Sequence, residues 1–250
     1  MRRVTGLSSE NDRYEPFSAA AAPDLGSARK VQESVRKRCI FQRTIDTGSI
    51  ESVAGADVAY AADDMAYGAT VVMSFTDARF IEAACSVRPA GFPYIPGLFA
   101  FREGPVIVES VKSLSFLPDI LIVHGHGYAH PLRAGLACHL GIVLGIPVIG
   151  VAGNLLTGAS EEPAHIRFSS EPVLDAGEVV GMAVRTKWNS KPVYVSAGHY
   201  VDLGQAVEIV LAMATVHRFP EPLYQADQIS RGCRRSDKNR LTRGHSQSLA

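Results

Sequence analysis

Cysteine and tryptophan are scarce in this chain of 250 residues, at four and one. Cys39, Cys85, Cys138 and Cys233 lie far apart and form no CxxC pair, which excludes the usual zinc-ligand spacings. Cys138 falls in an apolar run and Cys85 in a predicted strand, so buried reduced thiols are expected in preference to disulfides. Net charge is also lacking: 25 Lys and Arg balance 25 Asp and Glu. A global attraction to nucleic acid is thereby excluded, and any such site has to arise from local clustering. The longest apolar stretch, 142–152, is interrupted by Gly145, Pro147 and Gly150 and is too short to span a bilayer. No apolar run follows Arg2 and Arg3, so no signal peptide is visible and a cytoplasmic location is expected. What remains is 46% hydrophobic and 20% charged, a globular composition with length enough for one core.

Residues 1–27 are rich in Ser, Ala, Pro and charge without periodicity, and read as a loose arm. Val31, Val35, Cys39 and Ile40 recur on one face of a predicted helix over 28–43. Three strands follow, over 52–60, 68–75 and 79–87, separated by polar turns as in an antiparallel meander. A Gly/Pro-rich loop covers 89–97, and a helix over 105–114 is expected to carry Pro105 in its first turn. The apolar strand 119–123, a helix over 132–144 and the strand 148–152 imply a parallel pair with a crossover. Strands over 179–186 and 192–197 precede a helix capped by Asp202 and running to Val216. After Ile229 the chain is polar and basic, and 232–250 reads as a solvated tail. A meander followed by helix-separated parallel strands is a mixed α/β sheet; the ribonuclease H-like fold is one of several with this order.

Several segments carry side chains suited to chemistry. Asp57 sits in the apolar strand sequence VAGADVAY, where an ionised carboxylate is costly unless paired, for example with a divalent cation, or unless it reaches solvent at the strand end. Tyr94 is flanked by Pro93 and Pro96, whose rings stiffen the loop; it suits a wedge between bases or an ordinary turn. Glu103 lies nearby, and beside Arg102 it fits a surface ion pair equally well. VHGHGYAHPLRAGLACHLG places His124, His126, His130 and His139 close together after a strand, where open α/β sheets form their sites. Zinc is one reading of this cluster, but there is no HExxH pattern, and His139 suits a hydrogen-bonded core position. Gly125 and Gly127 permit close approach of a ligand. His199, just past a strand, fits proton transfer, a phosphate contact or a loop contact. Asp227 lies on a predicted helix, where a surface acid is the plain expectation.

Taken together and in this order, Asp57, PYIPGLFAFREGP, HGHGYAHP, ACHLG, IPVIGVA, VSAGH and FPEPLYQAD resemble the endonuclease V family over 31–231. The resemblance implies a single ribonuclease H-like domain over 28–231 and a magnesium-dependent nuclease. Such an enzyme recognises hypoxanthine in DNA or RNA and cuts one nucleotide to its 3′ side, leaving a 3′-hydroxyl and a 5′-phosphate. It implies metal-site roles for Asp57 and Glu103, and for Asp227 as a further acid. It also implies a strand-separating role for Tyr94, a base pocket near Gly97, Gly125 and Gly150, and roles for His130 and His199 near the pocket and reaction centre. The expected partner is nucleic acid containing inosine or deoxyinosine, bound by a monomer away from membranes.

Two positions depart from the family pattern. Where the family has an aspartate before Gly-x-Gly, this chain has His124, and where it has a lysine after GVA, this chain has Gly153. Imidazole suits magnesium poorly and suits manganese or zinc better. With His124 counted among the catalytic and metal residues, three outcomes are open: a working nuclease with a changed site, an impaired homologue that still binds nucleic acid, and a protein-interaction module on the same fold.

Overall fold

A computed structural model describes the backbone of residues 24–247 and the side chains as far as Asp237. It is a ribonuclease H-like α/β fold, with a mixed eight-stranded sheet ordered β3-β2-β1-β4-β5-β8-β7-β6. The strands are β1 (Ser52–Tyr60), β2 (Met65–Ser74), β3 (Phe80–Pro89), β4 (Ile120–His124), β5 (Val148–Ala152), β6 (Ser170–Asp175), β7 (Glu178–Val184) and β8 (Val193–His199). The helices are α1 (Leu25–Arg38), α2 (Phe99–Lys112), α3 (Leu136–Leu144), α4 (Leu203–Met213) and α5 (Glu221–Gln247). β1, β2 and β3 form the expected antiparallel meander, and β1, β4 and β5 are parallel. Alternation along the central strands sorts the core into two layers. Val53, Ile120, Ile122, Ile149 and Val151 face α4 and α5, whereas Ala54, Ala56, Leu121 and Val123 face α2 and α3. No described helix is long and apolar enough to cross a membrane.

The expected loose arm lies outside the described residues as far as residue 23; Asp24 then caps α1 by accepting the Ser27 N–H at 2.9 Å. α1 ends five residues earlier than its apolar spacing suggests. The Ile40 N–H donates to His199 Nδ1 at 3.2 Å and its carbonyl accepts from the Tyr200 N–H at 2.8 Å, so Ile40 is tied to the end of β8. α2 begins six residues before Pro105, which therefore sits inside the helix and not in its first turn. The ring removes one helical hydrogen bond, and burial of Leu98 and Phe101 against Ala28 and Phe92 offsets that loss. Glu103 is consequently a helical residue. β6 had no clear alternation, since Val173 alone among its residues is fully buried. It pairs with β7 across Ala176 and Gly177, whose φ values of 53° and 81° suit a tight hairpin.

Two further expectations change. A disulfide joins Cys85 of β3 to Cys233 of α5, while Cys39 and Cys138 are free. The segment after Ile229 continues α5 across the sheet: Tyr67 donates to Asp237 at 2.8 Å, and Arg234 donates to the Tyr60 carbonyl at 3.0 Å.

The start of α5 lies directly on β1. A Cβ at Gly55 would stand 2.2 Å from the Leu223 nitrogen and the Pro222 carbonyl carbon. Gly55→Ala is expected to lower stability by about 2 kcal/mol or more, because the backbones have to separate. Gly232, with nothing within 4 Å of its would-be Cβ, is the contrast. Gly232→Ala in α5 is expected to raise stability by about 0.5–1 kcal/mol. Urea unfolding of both variants checks the pair; equal shifts in the two would contradict the close α5–β1 contact.

Candidate active site

The parallel register sets the site. Ala56 pairs with Val123, and His124 pairs with Val151. Asp57, one residue past Ala56, therefore lies beside His124 at the carboxyl ends of the strands, and both side chains take the α5 face. His124 Nδ1 stands 3.3 Å from Asp57 Oδ2, while Asp57 Oδ1 accepts the Val58 N–H at 2.8 Å. Asp57 is 9% exposed, whereas the His124 ring reaches solvent. Burial works against charge on His124, but the hydrogen bond to Asp57 and the charges of Asp57, Glu103 and Asp227 outweigh it and raise its pKa.

Glu103 reaches the same point from α2. Burial, followed by the Asp57 charge, pushes its carboxyl up to about 8. The Tyr60 hydroxyl stands 3.5 Å from Glu103 Oε1. Arg102 does not pair with Glu103: it binds Asp64 and the Phe92 carbonyl and lies over the Tyr60 ring at 4.4 Å. Asp227, two turns into α5, is close enough for Asp57 to raise its pKa after burial, yet it gives an oxygen to Arg231 Nε at 2.8 Å.

The wall beside these groups is a narrow cleft lined by Gly97, Phe99, Ala100, Gly125, His126, His130 and Leu156, among others. Gly97 has φ 82°. Gly150 does not face the cleft as a contact surface. A Cβ there would meet the Gly125 oxygen and Gly127 nitrogen at 2.7 Å, so its role is to let β5 lie against the 125–127 loop. His130 is buried with both nitrogens engaged: Nδ1 accepts the Leu132 N–H at 3.1 Å and Nε2 donates to the Gly97 carbonyl at 2.8 Å. It shapes the cleft by holding Gly97 from behind. Tyr94 is 67% exposed and packs on Phe99, with ring centroids 5.0 Å apart.

His199 does not join this group. It pairs with Val148, at the opposite end of β5 from Val151. Three strand residues separate it from the His124 row, about 10 Å. Its Nδ1 accepts from Ile40, and burial pushes its pKa down to about 4. The histidine cluster likewise dissolves: His139 is buried in α3 beside Phe101. Among the described residues, no group of three or more His, Cys, Asp or Glu stands ready to hold a metal ion. The donor set still suits magnesium in part, because Asp57 and Glu103 offer oxygens and this ion commonly takes one or two carboxylates plus water and phosphate. His124 offers nitrogen, which suits manganese or zinc.

Sequence reasoning missed the loop before α5. Phe219 packs on His124, with ring centroids 5.2 Å apart, and Arg218 Nη2 donates to the Gly153 carbonyl at 3.2 Å. Nothing in HRFPEP has a periodicity that would place it over the strand ends.

A model of the Endonuclease V family matches residues 30–228. The chain belongs to the endonuclease V family. An endonuclease V of Roseiflexus sp. (strain RS-1) is 43% identical over 217 residues, covering 86% of this chain and 96% of that protein. The crystal structure of endonuclease V from Streptomyces avermitilis shares 37% identity with a TM-score of 0.84, over 89% of this chain and 98% of that one. Endonuclease V from Ciona intestinalis, crystallised with a 24mer DNA containing an inosine followed by a ribo-adenosine, shares 25% identity with a TM-score of 0.74, over 85% and 98%. His124 and Gly153 thus lie on adjacent strand ends, joined through Phe219 and Arg218.

The raised Glu103 pKa has a consequence for stability. Between the ordinary carboxyl value of 4.5 and about 8, the folded protein holds a proton that the unfolded chain releases. Stability therefore falls as pH rises through that window. Without divalent cations, Glu103→Gln is expected to be more stable than the parent at pH about 9, with the difference closing by pH about 4. Urea midpoints across pH test this; a gap independent of pH would contradict the stated environment of Glu103.

Proposed function

We propose that this chain is a nuclease directed at inosine in DNA or RNA, cutting the phosphodiester one nucleotide to the 3′ side of hypoxanthine with a divalent cation. The observation that carries the reading is the meeting of two carboxylates, Asp57 and Glu103, at the ends of the central strands, beside the Gly97–Gly125 cleft and the exposed Tyr94. Membership in the endonuclease V family and the inosine-containing DNA bound by the Ciona relative support it.

Tyr94 is placed on the outside of a Pro-stiffened loop, where its ring can fill the gap that a displaced base leaves in a stack. Backbone groups around Gly97 and Gly125 then face the base edge. Asp57 and Glu103 would hold magnesium. When bound, the ion supplies positive charge to the scissile phosphate and lowers the pKa of a water. The Val58 N–H and His124 fix the Asp57 carboxylate in orientation.

One observation favours a second reading, in which nucleic acid is bound but cut slowly. His124 occupies one Asp57 oxygen and leans towards its charged form, so it competes with a cation for that carboxylate.

Labelled deoxyinosine and inosine oligonucleotides, incubated with magnesium, manganese or zinc in turn, distinguish the two when cleavage and gel shift are followed together. The parent is expected to cut the inosine strand and to leave a guanosine control intact. The double variant His124→Asp, Gly153→Lys is expected to be faster by about 100-fold in magnesium, the scale of one charge-stabilising group. Cleavage by the double variant alone would replace the first reading with the second, and absence of any gel shift would remove both.

A further inference from the structure

Among the described side chains, Arg218 is a cation the reaction above leaves unused. Arg102 has Asp64, Arg133 has Asp175 and Glu178, and Arg185 has Glu162, whereas half-buried Arg234 donates to the Tyr60 carbonyl on the meander. Arg218 is half-buried and has no carboxylate within ion-pair distance among the described residues. Its bonds go to main chain: Nε to the Lys191 carbonyl at 2.9 Å, and Nη2 to the carbonyls of Pro192 at 2.6 Å and Gly153 at 3.2 Å. Three carbonyls on two segments thereby fix the guanidinium plane, while neither N–H of Nη1 is among the hydrogen bonds that hold it.

The position of that fixed plane is informative. The guanidinium lies over the Phe219 ring at 5.1 Å, and the same ring packs on His124. The loop is anchored in turn by Glu221, which accepts the N–H groups of Val216 and His217 at 2.8 Å each and contacts His217 Nδ1 at 2.8 Å. Gly153 leaves the space next to the guanidinium open, since a Cβ there would sit 3.9 Å from Nη1 and Nη2 and 3.6 Å from Phe219 Cζ, all ordinary contacts. A rigidly held, partly desolvated cation without an anion is costly, and burial does depress the Arg218 pKa. A bound anion would offset that cost.

We propose that Arg218 is a phosphate-binding residue, its Nη1 donating to a non-bridging oxygen of the nucleic-acid backbone as the strand crosses from the Asp57–His124 site towards β5. This rests on the nucleic-acid reading above and adds a contact on the far side of Phe219. A guanidinium suits phosphate geometry, and a backbone contact positions the strand without reading its bases.

The test measures anisotropy of a labelled inosine strand and a matched guanosine strand in EDTA from about 50 to about 200 mM salt. Arg218→Gln is expected to weaken both strands by the same factor, about tenfold at the low-salt end, and to reduce the log–log salt slope by about 0.7. Because Arg218 also ties three carbonyls, a second pair of variants leaves those bonds in place. Gly153→Glu sets a carboxylate against the guanidinium and is expected to weaken binding, whereas Gly153→Gln is not. In the Arg218→Gln background the Glu substitution is expected to add little. The proposal is overturned if folded Arg218→Gln keeps the parent's affinity and slope, if its loss is confined to the inosine strand, or if Gly153→Glu acts equally with and without Arg218. Should the slope change as expected while the parent cuts nothing in any metal, Arg218 keeps this role and the cleavage reading falls. No binding by the parent at all would remove both.

Discussion

The parallel pairing of β1, β4 and β5 is the constraint on which the site depends. A parallel ladder has a fixed register, and here the same offset that aligns Ala56 with Val123 brings Asp57 to His124. The next ladder aligns His124 with Val151, so Gly153 follows two residues further along the same face. A slip of one residue in either ladder would turn Asp57 or His124 to the opposite layer. The row Ala54–Leu121–Val148 and the pair Ile122–Ile149 exclude such a slip, because they belong to different helical layers. Core packing thus determines, at no separate cost, which functional side chains meet.

That coupling explains which parts were legible. β1 and β5 were read to the residue, since strands buried on both faces give continuous apolar runs with sharp polar or Gly/Pro ends. Asp57 stood out for the same reason, as an acid inside such a run, and it lies beside His124 at the strand ends. The start of α2 was not, because Pro105 looks like a first-turn residue, whereas the contacts that extend the helix back to Phe99 are with α1 and the 89–97 loop. α5 was mistaken for a tail beyond Ile229, since its basic residues hide a helix held by Asp237 and Arg234 on the meander. His199 shows the limit of reasoning from strand ends. It does lie at the end of a strand, but β8 runs antiparallel to β5, so that end is the wrong one.

His124 changes the electrostatics of the acids around it within the folded protein itself. Burial and, after it, the charge of Asp57 raise the pKa of both Glu103 and Asp227. A fourth carboxylate would sharpen that repulsion and with it the attraction for a divalent cation. An imidazole instead donates into Asp57 and relieves part of the repulsion from within the protein. Under the proposed metal-dependent reading a cation would have to displace a bond that already exists, so stability without an ion and affinity for one would change in opposite directions.

The same trade appears one strand further on. With glycine at 153, no side chain from β5 covers the strand ends, and the positive charge there comes from Arg218, held by main-chain carbonyls of β5's end and of the segment before β8. Phe219 separates it from His124 by one ring. Across the strand ends the line thus runs from carboxyl groups at β1 and α2, through an imidazole on β4, to a guanidinium beyond β5. On the proposed nucleic-acid reading, a phosphodiester chain laid along it would meet acids where a metal ion would mediate and a cation where none is needed. The two ends of that line depend on different segments: the β1–β4 register sets the acid and the imidazole, and the clamp of Glu221 on the loop before α5 sets the guanidinium.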